Sequence, residues 1–397
     1  MTQPDTATPK APVVIIGAGL AGLTVALQLA DRHPVIVLAM SPALCPILPK
    51  HVYGDGQDLK SHPRNSTNVV GSGPFRLVEF KPGQRVVMER FDRFFIAGRP
   101  YLDKLIMNIT PDTSSLMLSL ERGDLQMLPF ASVPTDLQRL AKNPQVQLTP
   151  AGYEGIGALN WLAFNLTKKP LSDVKVRKAI AQSVNVDELI QNVLRGRASK
   201  MCGPLSPINV DYFPKVQCLK YDPKQAQALF KEAGVDPKTL TLTLDTPSGR
   251  YPLDKDISQA IAAQLGRQGI TVNVVVNEWG THLDKIKNRT TGDMFFLGWG
   301  PALDAQNTIE QLFQGSMTYS SYGGNKALED KIQTAVTIVD PQKRLAAWAE
   351  LQQLVAAEVP WVFLWQQHDL YGVANWVEWQ PRADEKVWMF EAKIGKK

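Results

Sequence analysis

The sequence predicts an α/β protein in which helices and strands alternate along most of the chain. Short apolar runs, typical of buried strands, recur between segments that have apolar residues at helical spacing. Several of those segments begin with a helix-capping residue. Hydrophobic residues make up 44% of the 397 residues, which is enough for a large buried core. Sheets covered by helices are the usual result of this pattern.

A polar tail over residues 1–11 is followed by a strand–turn–helix–strand unit. We predict its strands at Val13–Ile16 and Val35–Leu38 and its helix at Leu23–Ala30. The turn has the pattern G-x-G-x-x-G, whose glycines allow a tight turn, close approach of a pyrophosphate and close helix–strand packing. These glycines are Gly17, Gly19 and Gly22. After the second strand, where this motif usually has an acidic residue, the chain has Ala39 and Met40.

From residue 71 onward, strand and helix signals follow one another to the C-terminus. The segment Phe75–Val87 predicts a hairpin around Lys81-Pro82-Gly83. Helices are also predicted from Asp112 to Arg122 and after three capping residues, Asn185, Asp222 and Asp340. Apolar residues at helical spacing predict two buried stripes, namely Ile257, Ile261 and Leu265, and Leu345, Trp348, Leu351 and Val355.

Charge, cysteine count and apolar runs exclude some classes of protein. Lys and Arg number 43 against 38 Asp and Glu, with no dense basic tract, so a dedicated nucleic-acid binder is not expected. Cys202 and Cys218 flank a proline-rich segment and either close it as a disulfide or remain unpaired. No run is long and apolar enough for a transmembrane helix. Val13–Ala30 has a poor cleavage pattern for a signal peptide.

The segment from Ala11 to Leu38 resembles the FAD-binding N-terminus of L-aspartate oxidase and its fumarate-reductase relatives. The resemblance rests on Val14-Ile15-Ile16-Gly17, Ala21-Gly22-Leu23 and the run from Leu29 to Leu38. It implies FAD bound near Gly17, Gly19 and Gly22, and an FAD-dependent oxidoreductase fragment is the alternative function. The likeness does not continue beyond Met40. A Rossmann-like fragment that binds no cofactor is the simpler interpretation of this segment.

The chain from about residue 41 to its C-terminus resembles the extracytoplasmic solute-binding proteins of peptide- and nickel-type ABC importers, known as family 5. The matching segments follow the family's order along the chain. They are Pro49-Lys50-His51, Gly71-Ser72-Gly73-Pro74-Phe75, Gly98 to Asp103, Pro170 to Ile180, Tyr221-Asp222-Pro223, Glu232-Ala233-Gly234 and Gly298-Trp299. Within the most specific segment, Asp173 and Arg177 are predicted to pair on a helix surface.

This second resemblance implies a two-lobed, periplasmic-binding-protein-like fold of class II. Because little precedes Pro49, we expect a truncated first lobe preceded by the Rossmann-like unit. The expected divisions are residues 1–40 for the tail and Rossmann-like fragment and 41–155 for a partial first lobe. Residues 156–375 are expected to form the second lobe, and residues 376–397 to return to the first. An inert fusion of the two parts is a further alternative.

A non-catalytic protein of this family binds a peptide or other small solute between its lobes and delivers it to a membrane permease. We expect a monomer without cofactor or metal, since the five histidines have no metal-ligand spacing and no catalytic motif is present. The resemblance implies a periplasmic location, with the cytoplasm as the alternative. Residues in loops after strands are the candidate ligand contacts. They are Trp279, Trp299, Gly300 and Asp304, with Asp304 replacing an aspartate that the family has at the position of Ala302.

Overall fold

The computed structural model describes residues 13–16, 35–38, 49–59, 61–65, 67–110, 112–129, 134–148, 159–300, 304–320, 325–382 and 387–395. The chain divides into two compact units. One comprises residues 1–97 with 103–107, and the other comprises residues 98–102 with 108–397. The lobe boundaries predicted at residues 40, 155 and 375 stay a prediction.

The smaller unit contains two short sheets. Its elements are β1 (Val13–Ile16), β2 (Val35–Leu38), α1 (Lys50–Tyr53), β3 (Phe75–Lys81), β4 (Arg85–Arg90) and most of β5 (Lys104–Asn108). Strands β1 and β2 pair in parallel over their full lengths, which confirms the two predicted strands. The predicted helix between them and the glycines Gly17, Gly19 and Gly22 lie outside the described residues.

The predicted hairpin is the antiparallel pair β3–β4, to which β5 adds as the third strand. Gly83 makes the turn with a positive φ of 70°, a conformation that glycine adopts without steric cost. Glu79 on β3 accepts hydrogen bonds from the Arg85 guanidinium on β4 at 2.9 and 3.1 Å. Such cross-strand ion pairs are typical of the solvent face of an antiparallel sheet.

The larger unit contains the remaining elements. Its helices are α2 (Thr113–Arg122), α3 (Pro134–Leu140), α4 (Val174–Ser183), α5 (Val186–Asn192), α6 (Pro223–Glu232), α7 (Asp254–Gly266), α8 (Trp279–Lys287), α9 (Gln306–Phe313), α10 (Lys326–Val336) and α11 (Pro341–Glu358). Its strands are β6 (Met127–Leu128), β7 (Val146–Leu148), β8 (Leu159–Phe164), β9 (Ala198–Lys200), β10 (Thr241–Pro247), β11 (Thr271–Asn277), β12 (Met294–Trp299), β13 (Trp361–Gln367), β14 (Gly372–Ala374), β15 (Val377–Glu378) and β16 (Lys393–Ile394).

Six of these strands form one mixed sheet in the order β11-β10-β12-β8-β13-β9. The pairs β10–β11 and β10–β12 are parallel, whereas β8, β13 and β9 continue the sheet with antiparallel pairs. Every residue of β8 is buried, as expected for a central strand covered on both faces. Two smaller sheets, β6-β14-β7 and β15-β16, complete the unit.

Side chains that alternate along β8 divide between two apolar clusters, one on each face of the six-stranded sheet. Leu162 and Phe164 belong to a cluster that includes buried residues of α4, α5, α6 and α7. Trp161 and Ala163 belong to the other cluster, with buried residues of α8, α9, α10 and α11. Because successive strand residues point to opposite faces, this arrangement is a three-layer α/β/α sandwich.

The capping residues begin their helices as predicted. Asn185, Asp222 and Asp340 each accept a backbone N–H from the first turn of the following helix. Asp112, whose capping role was not predicted, does the same for α2. The capping box at Asn185 is only half formed, because the carboxylate of Glu188 bonds Arg267 instead of the Asn185 backbone. The amide oxygen of Gln264 accepts that backbone N–H at 2.8 Å.

Two predictions about helix faces are wrong in part. Trp348, Leu351 and Val355 are buried, but Leu345 is 47% exposed, since spacing does not show how far neighbouring elements extend along a helix. Arg177 is 3% exposed and is not a surface partner for Asp173. Its guanidinium donates to backbone carbonyls, including Val359 at 3.0 Å, and so ties α4 to the end of α11.

Cys202 and Cys218 form a disulfide, which selects one of the two alternatives left open by the sequence. Their Cα atoms are 4.4 Å apart, and the bond closes the segment that follows β9. The third cysteine, Cys45, lies outside the described residues.

Candidate functional site

Strands β10, β11 and β12 of the larger unit end at one edge of the sheet. Strand β10 lies between the other two and is parallel to both, so the three chains leave the sheet at the same edge. In α/β sheets, ligands bind outside the carboxyl ends of parallel strands. The loops that follow these strands therefore form the candidate functional site.

An arginine stacked on two aromatic rings is the main feature of this edge. The exposed Arg250 guanidinium carbon lies 4.9 Å from the centre of the Tyr251 ring and 5.2 Å from that of Trp279. The two rings meet edge to face with centroids 6.0 Å apart. Among the described residues, the guanidinium forms no ion pair. The site thus presents a cation at a fixed place beside an aromatic wall.

The buried carboxylate of Asp254 fixes the backbone of the Arg250 loop. It accepts the N–H groups of Gly249 at 3.1 Å and of Arg250 and Tyr251 at 3.0 Å. Asp254 itself begins α7, so the loop is anchored to a rigid helix. Backbone N–H groups satisfy the hydrogen-bonding capacity of the Asp254 carboxylate. It therefore holds the backbone of Arg250, while the Arg250 side chain stays exposed at the surface.

Tyr251 connects this loop to the end of β12. Its hydroxyl donates to the carbonyl of Gly298 at 3.0 Å. A Cβ at Gly298 would lie 2.4 Å from the Tyr251 ring, so only glycine lets the ring pack there. Burial raises the pKa of Tyr251 to about 12, so the hydroxyl stays protonated and acts as a donor at neutral pH.

An ion pair between Asp245 and the partly exposed Lys285 connects the strands of this sheet to α8. The fully buried Asp245 carboxylate accepts hydrogen bonds from Lys285 Nζ and the Gly292 N–H, both at 2.6 Å, and from Asn277 Nδ2 at 3.0 Å. Burial alone would raise the pKa of Asp245, but these donors outweigh that effect and lower it. The ion pair therefore connects β10, β11 and α8 and engages the Lys285 ammonium, whereas the Arg250 guanidinium has no ion-pair partner among the described residues.

The predicted ligand residues occupy different positions at this edge. Trp279 belongs to the stack with Arg250, whereas Trp299 is half-buried against Tyr319, with ring centroids 5.5 Å apart. Gly300 is exposed, and among the described residues no heavy atom other than those of its chain neighbours lies within 4 Å of a Cβ built on it. The carboxylate of Asp304 accepts the Asn307 N–H at 3.0 Å in the first turn of α9. Roles of these four residues in binding stay predictions.

Sequence reasoning missed Arg250 and Tyr251. The available signal was their position directly after the apolar strand β10, at the end where α/β proteins bind ligands. The segment Gly249-Arg250-Tyr251 has no motif of its own, and the partner ring of Trp279 is far along the chain. Only the parallel pairing of β10 with β11 brings these residues together.

Two further features of the part of the chain that the structure describes bear on its function. There, no group of three or more His, Cys, Asp or Glu side chains is arranged to hold a metal ion. Among the same residues, no helix combines the length and apolar character needed to cross a membrane. The glycines of the alternative FAD site lie outside the described residues.

A family model for bacterial extracellular solute-binding proteins, family 5 middle, matches residues 18–320. The dipeptide-binding protein of Escherichia coli strain K12 is 30% identical over 303 residues, covering 74% of this chain and 55% of that protein. Heme-binding protein A of Haemophilus influenzae is 28% identical over 300 residues, covering 74% of this chain and 54% of that protein. The chain thus spans about 55% of the length of these curated relatives.

Solved structures show the same fold. The oligopeptide-binding protein AppA from Bacillus subtilis, in complex with a nonapeptide, superposes with a TM-score of 0.78 at 24% identity. The match covers 88% of this chain and 72% of that one. The predicted two-lobed, periplasmic-binding-protein-like α/β fold is therefore confirmed.

Proposed function

Because the chain belongs to the bacterial extracellular solute-binding proteins of family 5, we propose that it is the solute-binding component of an ABC importer. It binds a small solute reversibly and passes it to a membrane permease, without a chemical step. Its place of action is the periplasm, as for an extracytoplasmic family. The solute is a short peptide or a similar small molecule with a free carboxylate.

The observation that supports a carboxylate ligand is the exposed Arg250 guanidinium on Tyr251 and Trp279. A planar guanidinium matches a carboxylate with two parallel N–H···O bonds. The aromatic rings limit the conformations of the arginine, so less side-chain entropy is lost when the ligand binds. The half-buried indole of Trp279 offers the accessible part of its ring as a flat apolar surface to the part of the ligand next to its carboxylate.

The named ligands of two relatives have this chemistry. One relative is named for dipeptides and another for heme, and both kinds of molecule carry free carboxylates. Their shapes and apolar parts differ greatly, so a shared carboxylate anchor with variable surroundings accounts for both. Peptides are favoured here because the relative named for dipeptides has the higher sequence identity.

Isothermal titration calorimetry of the purified chain tests this function. After a panel of dipeptides identifies one that binds, its C-terminal amide is titrated in parallel. We expect the amide to bind about tenfold more weakly or worse, since it cannot form the charge-assisted pair. The variant R250Q should bind the acid about tenfold more weakly than the wild type does. Its affinity for the amide should equal that of the wild type.

A matched control is R344Q, which removes another guanidinium that lies over an indole, that of Trp348. It should leave the affinity for the acid unchanged. Equal binding of acid and amide, or full affinity in R250Q, would refute the carboxylate anchor. Failure of every dipeptide in the panel would refute peptides as the solute.

A further inference from the structure

A cavity of about 450 Å³ lies beside the segment that the Cys202–Cys218 disulfide closes. One wall is the loop between these cysteines, and other walls come from β9, β13 and α11. None of the four predicted ligand residues lines it, and neither do Arg250 and Tyr251. Ligand pockets in proteins commonly measure about 300–1,000 Å³, so the cavity is large enough for a small organic molecule.

The loop that walls the cavity is held at several points besides the disulfide. The amide group of Gln352 on α11 accepts the Phe213 N–H at 3.1 Å and donates to the Asp211 carbonyl at 2.8 Å. The Asp211 carboxylate accepts the Ala305 N–H at 3.0 Å. Within the loop, the Asn209 side chain accepts the Ser206 N–H at 2.9 Å. The wall is therefore formed before any ligand arrives, and little ordering entropy opposes binding.

The lining of the cavity favours an apolar occupant. Its apolar residues include Met201, Leu205, Ile208, Tyr212 and Val216. The ammonium group of Lys200, the charged side chain in the lining, is already paired with Asp187 at 2.6 Å. A charged ligand would thus find no free counter-charge from this lysine, whereas an apolar ring would displace water from apolar walls.

We propose that this cavity binds an apolar ring-bearing group that has one hydrogen-bonding atom. The group comes either from a free small ring compound or from the ring side chain of a peptide solute. Gln366 and Ser199 on neighbouring strands line the cavity wall with polar groups. The Ser199 hydroxyl lies 2.7 Å from His368 Nε2, and because a hydroxyl both donates and accepts, it can form a second hydrogen bond with the polar atom of such a group. Arg250 and Tyr251 do not line the cavity, so a free ring compound can occupy it without contacting them.

Fluoroindole is the probe for this site, followed by fluorine NMR on the full chain. Indole has an apolar bicyclic ring and one N–H donor. The wild type should broaden and shift the fluorine signal in a saturable manner. The variant I208W, which fills the cavity from its lining, should bind the probe about tenfold more weakly or not measurably.

The matched control is V210W, because Val210 belongs to the same loop, is 74% exposed and does not line the cavity. It should bind like the wild type. Equal affinity in I208W and V210W, or no saturable binding to the wild type, would overturn the assignment. A crystal of the wild type soaked with bromoindole gives a second measurement that does not depend on the folding of a variant. An anomalous peak in the cavity supports the site, and peaks confined to other places overturn it.

Competition distinguishes the two sources of the ring. Ala-Phe at saturating concentration is added to the wild type with bound fluoroindole. Displacement of the probe assigns the cavity to the ring side chain of a peptide, whereas retention of the probe while Ala-Phe binds assigns it to a free ring compound. If Ala-Phe does not bind, the fluoroindole result for the cavity still holds. Failure of the cavity proposal can therefore be distinguished from failure of the proposed importer function.

Discussion

At the scale of single residues, Arg177 shows how a correct motif can receive an incorrect local interpretation. The spacing of four from Asp173 is that of a helix-surface ion pair. In the fold, Asp173 instead caps α4 through the Lys175 N–H at 2.8 Å. Arg177 turns inward, and its guanidinium bonds the carbonyls of Leu171 and Val359, both at 3.0 Å. The planar fork with five donors explains why an arginine suits this place better than a lysine.

Trp299 gives the first prediction at this scale. Its ring is half-buried against Tyr319 at the end of β12, beside the Tyr251–Gly298 connection. The variant W299A should weaken solute binding without unfolding the protein, because it removes one flat wall of the candidate site. Calorimetry measures the affinity, and circular dichroism checks the fold. An unchanged affinity in a folded variant would remove Trp299 from the site.

His282 gives a pH-dependent prediction. Its side chain is fully buried, with its ring centre 6.1 Å from that of Trp279. Nε2 lies 2.8 Å from the Phe296 carbonyl, and Nδ1 has no hydrogen-bond partner among the described residues. A carbonyl only accepts, so Nε2 carries the proton, and a second proton on Nδ1 would be buried without an acceptor. Burial lowers the pKa of His282 in the folded state. The hydrogen bond to the Phe296 carbonyl and the negative charge of Asp245 would raise this pKa, but the effect of burial is larger.

The direction in which the free energy of unfolding changes with pH follows from this lowered pKa. The unfolded chain takes up the proton near its ordinary pKa of about 6.5, before the folded chain does. The stabilisation from neutral His282 is thus complete above about pH 6.5 and is lost as the pH falls toward the folded pKa. Urea unfolding at a series of pH values measures it. The variant H282Q should reduce the slope of the free energy of unfolding against pH. The variant H51Q, at an exposed position, should keep that slope. An identical slope in H282Q would contradict the assignment.

At the scale of elements, helix ends and apolar stripes are the features that follow local rules. The stripe Ile257, Ile261 and Leu265 is buried on α7, and Asp222 caps α6 through the N–H groups of Lys224 and Gln225. Both patterns depend on residues within one or two helical turns, so sequence spacing is sufficient to find them. The loop after β9 is different, since its conformation depends on Gln352 of α11.

The Cys202–Cys218 disulfide gives the prediction at this scale. The two cysteines are 16 positions apart, and closing a loop of this length stabilises a protein by about 3 kcal/mol through the unfolded chain. The double variant C202S/C218S should lose about that much in urea unfolding. Reductant should lower the stability of the wild type by a similar amount and leave the double variant unchanged. Two free thiols at these positions in the oxidised wild type would contradict the bond.

At the scale of the whole molecule, two resemblances compete for the N-terminal part. The family match begins at residue 18 and so overlaps the segment 11–40 that resembles an FAD-binding unit. The parallel pairing of β1 and β2 is the geometry that a strand–helix–strand unit requires. The family match extends over most of the chain, whereas the flavoprotein likeness ends near residue 40.

This comparison leads to a prediction about cofactor content. We propose that the purified chain contains no flavin, so its visible spectrum should lack flavin absorbance. Mass spectrometry after denaturation should release no FAD. The variant G19V should match the wild type in solute binding, because a bulkier side chain would matter only for the approach of a pyrophosphate. Release of FAD from the wild type, with loss of that FAD in G19V, would instead establish the oxidoreductase alternative.

The extent to which the site was predictable differs among its residues. Trp279 and Trp299 were predicted as ligand contacts because an aromatic residue beside the end of a strand is a recognisable signal, and their roles in binding stay predictions. Arg250 was missed because its importance comes from rings at positions 251 and 279, the second of which belongs to another strand–helix unit. Asp304 was predicted as a ligand contact by analogy, and the structure adds a capping bond that no spacing rule had indicated.

The α/β class, several helix starts and the family resemblance are readable from the sequence alone, because they depend on short-range spacing and on ordered motifs. Tertiary structure decided which residues form the carboxyl-edge site and the cavity. Tyr251 bonds Gly298 across 47 positions, and Phe213 bonds Gln352 across 139. Such contacts depend on strand order and helix packing in three dimensions, and a hydrogen bond extends only about 3 Å, so local spacing contains no record of them.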